Sequence, residues 1–180
     1  MLKPSDTWMW FFEERENALM LDLGNDMLFK VNLPKKLLVD CAHTDNEFTV
    51  DDASAFQTYK QQASLLDLSK PRQAELVLNC VAAKRFHKPV QPKSWFFDSQ
   101  GEGYVPNEGD IVHLHNRYSE GYFMVIEVCE SASLCAYIEQ NDFLLDGKKS
   151  LSLGQPIKVM HDRTLCANHN FAEMPVALVG

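Results

Sequence analysis

Apolar residues first come in short runs separated by polar turns. Thr7–Glu14 (TWMWFFEE), Ala18–Leu23 and Met27–Val31 are rich in the aromatic and branched side chains that favour extended backbone. Gly24-Asn25-Asp26 lies between the second and third runs, and these residue types tolerate the positive φ angles of a tight hairpin loop. The first 32 residues therefore predict a three-stranded antiparallel meander. Pro34 closes it, and residues 35–46 read as a short helical turn and loop.

The rhythm then becomes helical. Asp51 and Asp52 can cap a helix over Ala53–Leu66, because a carboxylate accepts the free N–H groups of a first turn. Phe56, Tyr59, Ala63 and Leu66 share one face of it. Ser69 caps a second helix, with Pro71 in a first turn where no donor is lost. Leu76, Val77, Leu78, Cys80, Val81, Ala82, Ala83 and Phe86 cover most of its circumference, the pattern of a buried helix. Lys84, Arg85 and Lys88 gather at its C-terminal end, facing the negative end of the dipole, and Pro89 stops it.

Beyond residue 93 the pattern changes to short strands between Gly, Pro and Asp/Asn turns. Trp95–Asp98, Gly109–His115, Tyr122–Cys129, Leu134–Ile138, Lys149–Leu153 and Ile157–His161 are the candidates, at a spacing that suggests a small barrel or sandwich. The fold class is thus α+β, with an N-terminal α/β domain over residues 1–93 (meander plus helices) and a β-rich domain over 94–180.

Composition narrows the function classes. The chain is 46% hydrophobic with eleven Phe and three Trp, enough for a packed interior. No apolar run approaches the ~20 residues of a membrane span, and MLKPSDTW lacks the apolar core of a secretory signal, so neither a membrane partner nor export is expected. Five irregularly spaced cysteines, most of them in apolar runs, are expected as free buried thiols of a cytosolic protein. A net charge of -8 and a pI near 5.2 argue against nucleic acid as a partner.

Charge is uneven along the chain. Residues 1–94 carry 12 basic and 13 acidic side chains, the remainder 5 and 12. Between Glu75 and Asp98 there is no acid, while Lys84, Arg85, Lys88 and Lys93 are basic. Lys88, Pro89, Pro92, Lys93 and Trp95 combine cations, rigid prolines and a large aromatic in one connector, and strand alternation would put Lys93, Trp95 and Phe97 on one face. Two readings stand: Trp95 is core and the lysines merely solvated, or the segment is an interface anchor for an acidic protein.

Catalytic chemistry finds little support. Neither GxxxxGK[ST], GxGxxG nor GxSxG occurs, and no cofactor is implied. His113 and His115 on one strand face and the Cys166-Ala167-Asn168-His169 spacing evoke zinc, but a solvated His pair and a loose tail explain them more simply. Asp51-Asp52 reads as a helix cap and not as a catalytic pair. The class left against an interaction module is a small-ligand or enzymatic barrel pocket using His113, His115 and Tyr137.

Several motifs follow one another in a fixed order. They are KPSDTWMWFF from Lys3, LMLDLGNDMLF from Leu19, VDDA at Val50–Ala53, LSK at Leu68–Lys70 and AELVLN at Ala74–Asn79. KP at Lys88-Pro89, PKSWFF from Pro92, YVPNEGD ending at Asp110 and LGQPIKVMHDR from Leu153 to Arg163 continue the series. In these the chain resembles the ZapC family of Z-ring-associated bacterial cell-division proteins, from Lys3 to about Arg163, departing from it at Asn116–Gly121 and in the tail. The resemblance implies a non-enzymatic cytoplasmic monomer at the division site. Such a protein binds FtsZ, the tubulin-like GTPase of the division ring, promotes lateral bundling of its filaments and lowers its GTP turnover. It also implies that the second domain is a twisted β-barrel-like unit. The partner-binding residues expected on this basis are Lys84, Arg85, Lys88, Lys93 and Trp95, with Lys158 and Arg163 from the barrel side and Leu21 as an apolar contact in the meander.

Overall fold

The computed structural model describes residues 2–101 and 103–171. The meander forms as expected, with β1 (Met9–Glu13), β2 (Ala18–Asp22) and β3 (Leu28–Lys30) paired antiparallel. The register sets Trp10 opposite Leu21 and Leu21 opposite Phe29. Gly24, Asn25 and Asp26 all have positive φ, at 80°, 53° and 61°, and Leu23 N–H donates to the Met27 carbonyl at 2.9 Å to close the loop. Two 3-10 turns follow, at Lys35–Leu37 and Asp40–His43. A two-residue strand absent from the sequence pattern, β4 (Asn46–Glu47), pairs with the far edge of β1. The sheet order is β3-β2-β1-β4.

Helix α1 (Val50–Ala63) starts earlier than its periodicity predicts, because the cap is Thr49 and not an aspartate. Thr49 Oγ1 accepts from Asp52 N–H at 3.1 Å, and the Asp52 carboxylate accepts from Thr49 N–H at 3.0 Å, a reciprocal box that satisfies two orphan donors. Helix α2 (Lys70–Phe86) begins at Ser69 as expected and buries residues on almost every side.

Asp52 has a second task. It is 4% exposed, and its Oδ2 also accepts from Trp10 Nε1–H at 3.1 Å and from the Arg85 guanidinium at 2.5 Å. Arg85 further donates to the Glu47 carbonyl at 2.6 Å and lies 4.9 Å over the Phe86 ring. One carboxylate thereby ties β1, α1 and α2 together, with β4 reached through Arg85.

The remaining strands are β5 (Ile111–His115), β6 (Glu120–Val128), β7 (Ala132–Tyr137), β8 (Phe143–Leu144), β9 (Ser150–Leu151), β10 (Pro156–Met160) and β11 (Leu165–Cys166). Five form an antiparallel sheet in the order β10-β7-β6-β5-β11, and β8-β9 is a separate hairpin. A register shift between Val125 and Glu127 bends β6. One sheet face, through Ile111, Met124, Ile126, Leu134, Ala136 and Ile138, packs on the helices and completes the larger core begun by Trp10, Leu19 and Leu21. The other face, with Val112, Phe123, Cys135 and Val159, packs beneath Phe143 and Leu151 of the hairpin in a second core. The protein is α+β, and its larger core crosses from residues before 93 to residues after it.

Two expectations are corrected. Trp95–Asp98 is not a strand. Ser94–Phe96 is a 3-10 turn, because Lys93 N–H is drawn onto the Lys158 carbonyl at 2.7 Å and Ser94 Oγ accepts from Met160 N–H at 2.8 Å. Those bonds fix the chain against the edge of β10, and it must turn to bring Phe97 inward onto Phe143 (5.7 Å between ring centres). The five cysteines are free, as expected, but only Cys80 and Cys135 are buried, while Cys41 and Cys129 are exposed.

Removing the Asp52 carboxylate strands the Trp10 and Thr49 donors and leaves the Arg85 charge uncompensated. Asp52→Ala is expected to destabilise the fold by about 3–5 kcal/mol in urea unfolding. Arg72→Ala, which removes only an exposed ion pair with Glu75, is expected to cost less than about 1 kcal/mol.

Candidate partner-binding site

Helix α2 ends at Phe86, and the backbone then runs across the open side of the molecule until Lys93 bonds to β10. His87 N–H donates to Ala83 O at 3.1 Å, and Lys88 N–H donates to Leu37 O at 2.8 Å, so the start of the connector is held against the 3-10 turn after the meander. Asn32 holds the base: its N–H donates to Asn79 Oδ1 at 3.0 Å, and its Nδ2 donates to the Leu153 carbonyl at 3.3 Å. At Gly154, φ is +84° and a Cβ would lie 3.3 Å from Asn79 Nδ2, so a side chain there would strain this joint.

Between connector, 3-10 turn, hairpin and β10 lies a cleft of about 240 Å3. Lys36, Lys93, Lys149 and Lys158 line it with His87, and among the described residues no acidic side chain does. Phe96, Leu151 and Ile157 supply apolar walls, and Lys149 Nζ lies 5.8 Å from the centre of the Phe96 ring. Among the described residues none of the four lysines is in an ion pair. A positive concavity on a protein of net charge -8 attracts an anionic partner that the rest of the surface repels.

His87 adds no charge to the cleft near neutral pH. Burial pushes its pKa below the ordinary 6.5, Lys158 and Lys88 act the same way, and its Nδ1 contact with the Lys88 carbonyl at 2.6 Å and the charge of Glu127 oppose them. The neutral ring donates Nδ1–H to that carbonyl.

The structure separates the residues that sequence reasoning grouped. Lys93 and Lys158 share the cleft. Lys88 opens on the other side of Val90, in a groove shared with Glu127, Cys129 and Lys158. Trp95 is 71% exposed and 5.5 Å from Phe96, so the reading of it as core is wrong, and so is the face shared with buried Phe97. Arg163 is turned inward: its Nε donates to the Ser94 carbonyl at 3.3 Å and its Nη1 lies 3.3 Å from Asp162. Lys84 is ion-paired with Glu108, and Arg85 is held by Asp52. Leu21 is fully buried between Trp10 and Phe29 of neighbouring strands, and it has no surface to offer a partner. Lys36 and Lys149 went unnoticed in the sequence, since each is simply the second lysine of a turn on a distant segment.

The alternative ligand site does not assemble. His113 and His115 face Glu120 (3.6 Å) and Asp98 (3.1 Å) at the surface. Tyr137 lies in the second core, donates to the Asn141 carbonyl at 2.5 Å, and has its pKa pushed up to about 12 by burial and by Glu139 and Asp142. Among the described residues no group of three or more His, Cys, Asp or Glu is placed to hold a metal ion, and no helix is long and apolar enough to cross a membrane.

This α+β fold with a cationic cleft between its halves is that of a cell-division protein. The profile described as "Cell-division protein ZapC, N-terminal" matches residues 1–88, and "Cell-division protein ZapC, C-terminal" matches residues 89–170. The chain belongs to the ZapC family. The Cell division protein ZapC of Vibrio cholerae is 61% identical over 163 residues, 91% of each chain. That of Vibrio vulnificus is 58% identical over 180 residues and the whole of both chains, so similarity continues past Arg163 into the tail. That of Musicola paradisiaca is 41% identical over 168 residues, 92% of this chain and 89% of its own.

Trp95→Ala is expected to change stability by less than about 0.5 kcal/mol in thermal unfolding, whereas Phe97→Ala is expected to cost about 3–5 kcal/mol. Because the folded protein lowers the His87 pKa, the unfolded chain takes up the proton first as pH falls below 6.5, and stability declines there. His87→Gln is expected to remove that part of the decline, read as a smaller loss of Tm between pH 7 and 5 than in the parent.

Proposed function

We propose that this protein is a non-enzymatic cytoplasmic monomer that binds FtsZ at the division site, promotes lateral association of its filaments and lowers its GTP turnover. The observation that carries the reading is the cleft with Lys36, Lys93, Lys149 and Lys158 and, among the described residues, no acid, on a protein of net charge -8. FtsZ filaments are acidic and repel one another. A cationic cleft with an aromatic rim engages such a surface and reduces that repulsion. Trp95, exposed beside Phe96, is the anchor, and the lysines steer approach.

A monomer that bridges filaments needs two contacts. The cleft and the Lys88 groove open on either side of the connector and share Lys158, which gives two adjoining surfaces. Leu21 is replaced in this scheme, because its role is to hold the meander in the core. Lys84 and Arg85 act through the ion pairs that place α2, and Arg163 through its hold on Ser94.

The test is co-sedimentation with purified FtsZ and GTP, with phosphate release read in the same tubes. The parent protein is expected to increase pelleting and slow turnover, with the effect weakening as salt rises. Lys93→Glu with Lys149→Glu is expected to lower affinity about tenfold, each exposed cation contributing roughly 0.2–1 kcal/mol and its reversal adding repulsion. Lys30→Glu, at the far edge of the meander, is expected to change little. Unchanged pelleting and turnover at every salt concentration would contradict the reading.

A further inference from the structure

The cleft contains a feature that charge alone does not require. Strand β10 is the outer strand of its sheet, and its pairing with β7 puts Gln155 opposite Tyr137 and Ile157 opposite Cys135. Tyr137 N–H donates to Gln155 O at 3.1 Å and His161 N–H to Ser131 O at 2.9 Å, so residues of odd number face the ladder. Pro156, Lys158 and Met160 therefore direct their backbone groups outward. Two of these are already used: Lys158 O accepts from Lys93 N–H, and Met160 N–H donates to Ser94 Oγ.

Of the others, the Pro156 carbonyl and the Lys158 N–H have no partner among the described residues. Both residues line the cationic cleft. In a parallel ladder a single residue donates its N–H to position n-1 and accepts from position n+1 of its neighbour. Pro156 O and Lys158 N–H are the two halves of that arrangement about Ile157. An antiparallel neighbour with a residue set opposite Ile157 in a non-hydrogen-bonded pair uses the same two groups, so the edge accepts a strand of either direction while Lys93 keeps the Lys158 carbonyl.

Across the cleft, β9 offers a matching edge. Leu145 N–H donates to Lys149 O at 2.8 Å, and the register sets Leu144 opposite Ser150. The Leu144 backbone points away from the hairpin, to Ser119 Oγ and Asn116 Nδ2, so the Ser150 N–H and carbonyl point the opposite way, toward the cleft that Ser150 lines.

From this geometry we infer that the cleft takes an extended acidic peptide segment of its partner, paired by backbone to the outer edge of β10 about Ile157. Acidic side chains of the segment alternate toward Lys36, Lys93 and Lys149, and apolar ones toward Phe96 and Leu151. The pairing supplies affinity that is independent of charge, and the lysines select the segment by sign. The inference rests on the proposed binding of an acidic partner at this cleft, and it specifies the form in which that partner enters.

The experiment uses the 15N-labelled full chain and a blocked peptide, acetyl-Asp-Val-Asp-Val-Asp-Val-amide, beside the same peptide methylated at every backbone nitrogen. Binding of the unmodified peptide is expected to shift the Lys158 amide resonance and slow its hydrogen exchange at least tenfold, with the methylated peptide binding at least tenfold more weakly. Equal binding of the two peptides, shifts that leave Lys158 and Ser150 untouched, or no binding at millimolar peptide would overturn backbone pairing. FtsZ co-sedimentation on the same sample separates the two claims. Pelleting without an effect at Lys158 removes the pairing and leaves FtsZ binding, and an effect at Lys158 without pelleting does the reverse.

Discussion

Helix α2 has almost no outward face, and the rest of the molecule is arranged to enclose it. Leu76, Val77, Leu78, Cys80, Val81, Ala82, Ala83 and Phe86 are all buried, in a core that takes side chains from both sheets. A helix of this kind is stable only when covered on every side. The meander covers part of it, α1 another part and the five-stranded sheet the rest. The halves therefore meet along a shared apolar core, and the polar joints among Asp52, Arg85, Asn79 and Tyr59 fix where each element sits on it. Tyr59 is typical: its hydroxyl lies 3.1 Å from Glu108 and 3.2 Å from the Ile126 carbonyl, and burial pushes its pKa well above the ordinary value.

Enclosure also decides where the site forms. Once α2 is covered, its C-terminal end emerges between the halves, and the following residues have to cross the gap to reach β10. A connector with prolines at 89 and 92 crosses with few conformations to lose. The cleft is the space left beneath that crossing. Its lysines come from four separate segments, at 36, 93, 149 and 158, so the positive field is a product of the fold and not of any one basic run. Lys84 and Arg85, which look most basic in the sequence, are spent on ion pairs that hold the helix in place.

Local rules carried much of the architecture. The positive-φ loop at Gly24-Asn25-Asp26, the Ser69 cap and the all-round burial of α2 follow from nearest neighbours and periodicity, and they were legible. So was the β-rich second half, through β5, β6, β7 and β10. Features set by distant partners were not. Asp52 reads as a simple cap until Trp10 and Arg85 come within reach of it. Trp95-Phe96-Phe97 has strand composition, but bonds from Lys93 and Ser94 to β10 turn it into a 3-10 segment and throw Trp95 outward. Leu21 is apolar in an apolar strand, which is equally compatible with a contact surface and with a core. Of the residues lining the cleft, Lys93 was singled out by local sequence and Lys158 by the family resemblance, while Lys36 and Lys149 needed the fold.

The surface proposed to meet FtsZ is the cleft together with Trp95, exposed beside the cleft residue Phe96. The most direct measurement places the photo-crosslinking residue p-benzoylphenylalanine at position 95, where the native Trp95 is exposed, and separately at position 16, where Glu16 is paired with Lys30 beside the meander. Each protein is irradiated with FtsZ filaments, and the crosslinked species are quantified. The account predicts an FtsZ adduct from position 95 that disappears at high salt and little from position 16. Equal adducts from both positions, or an adduct from position 16 alone, would contradict it.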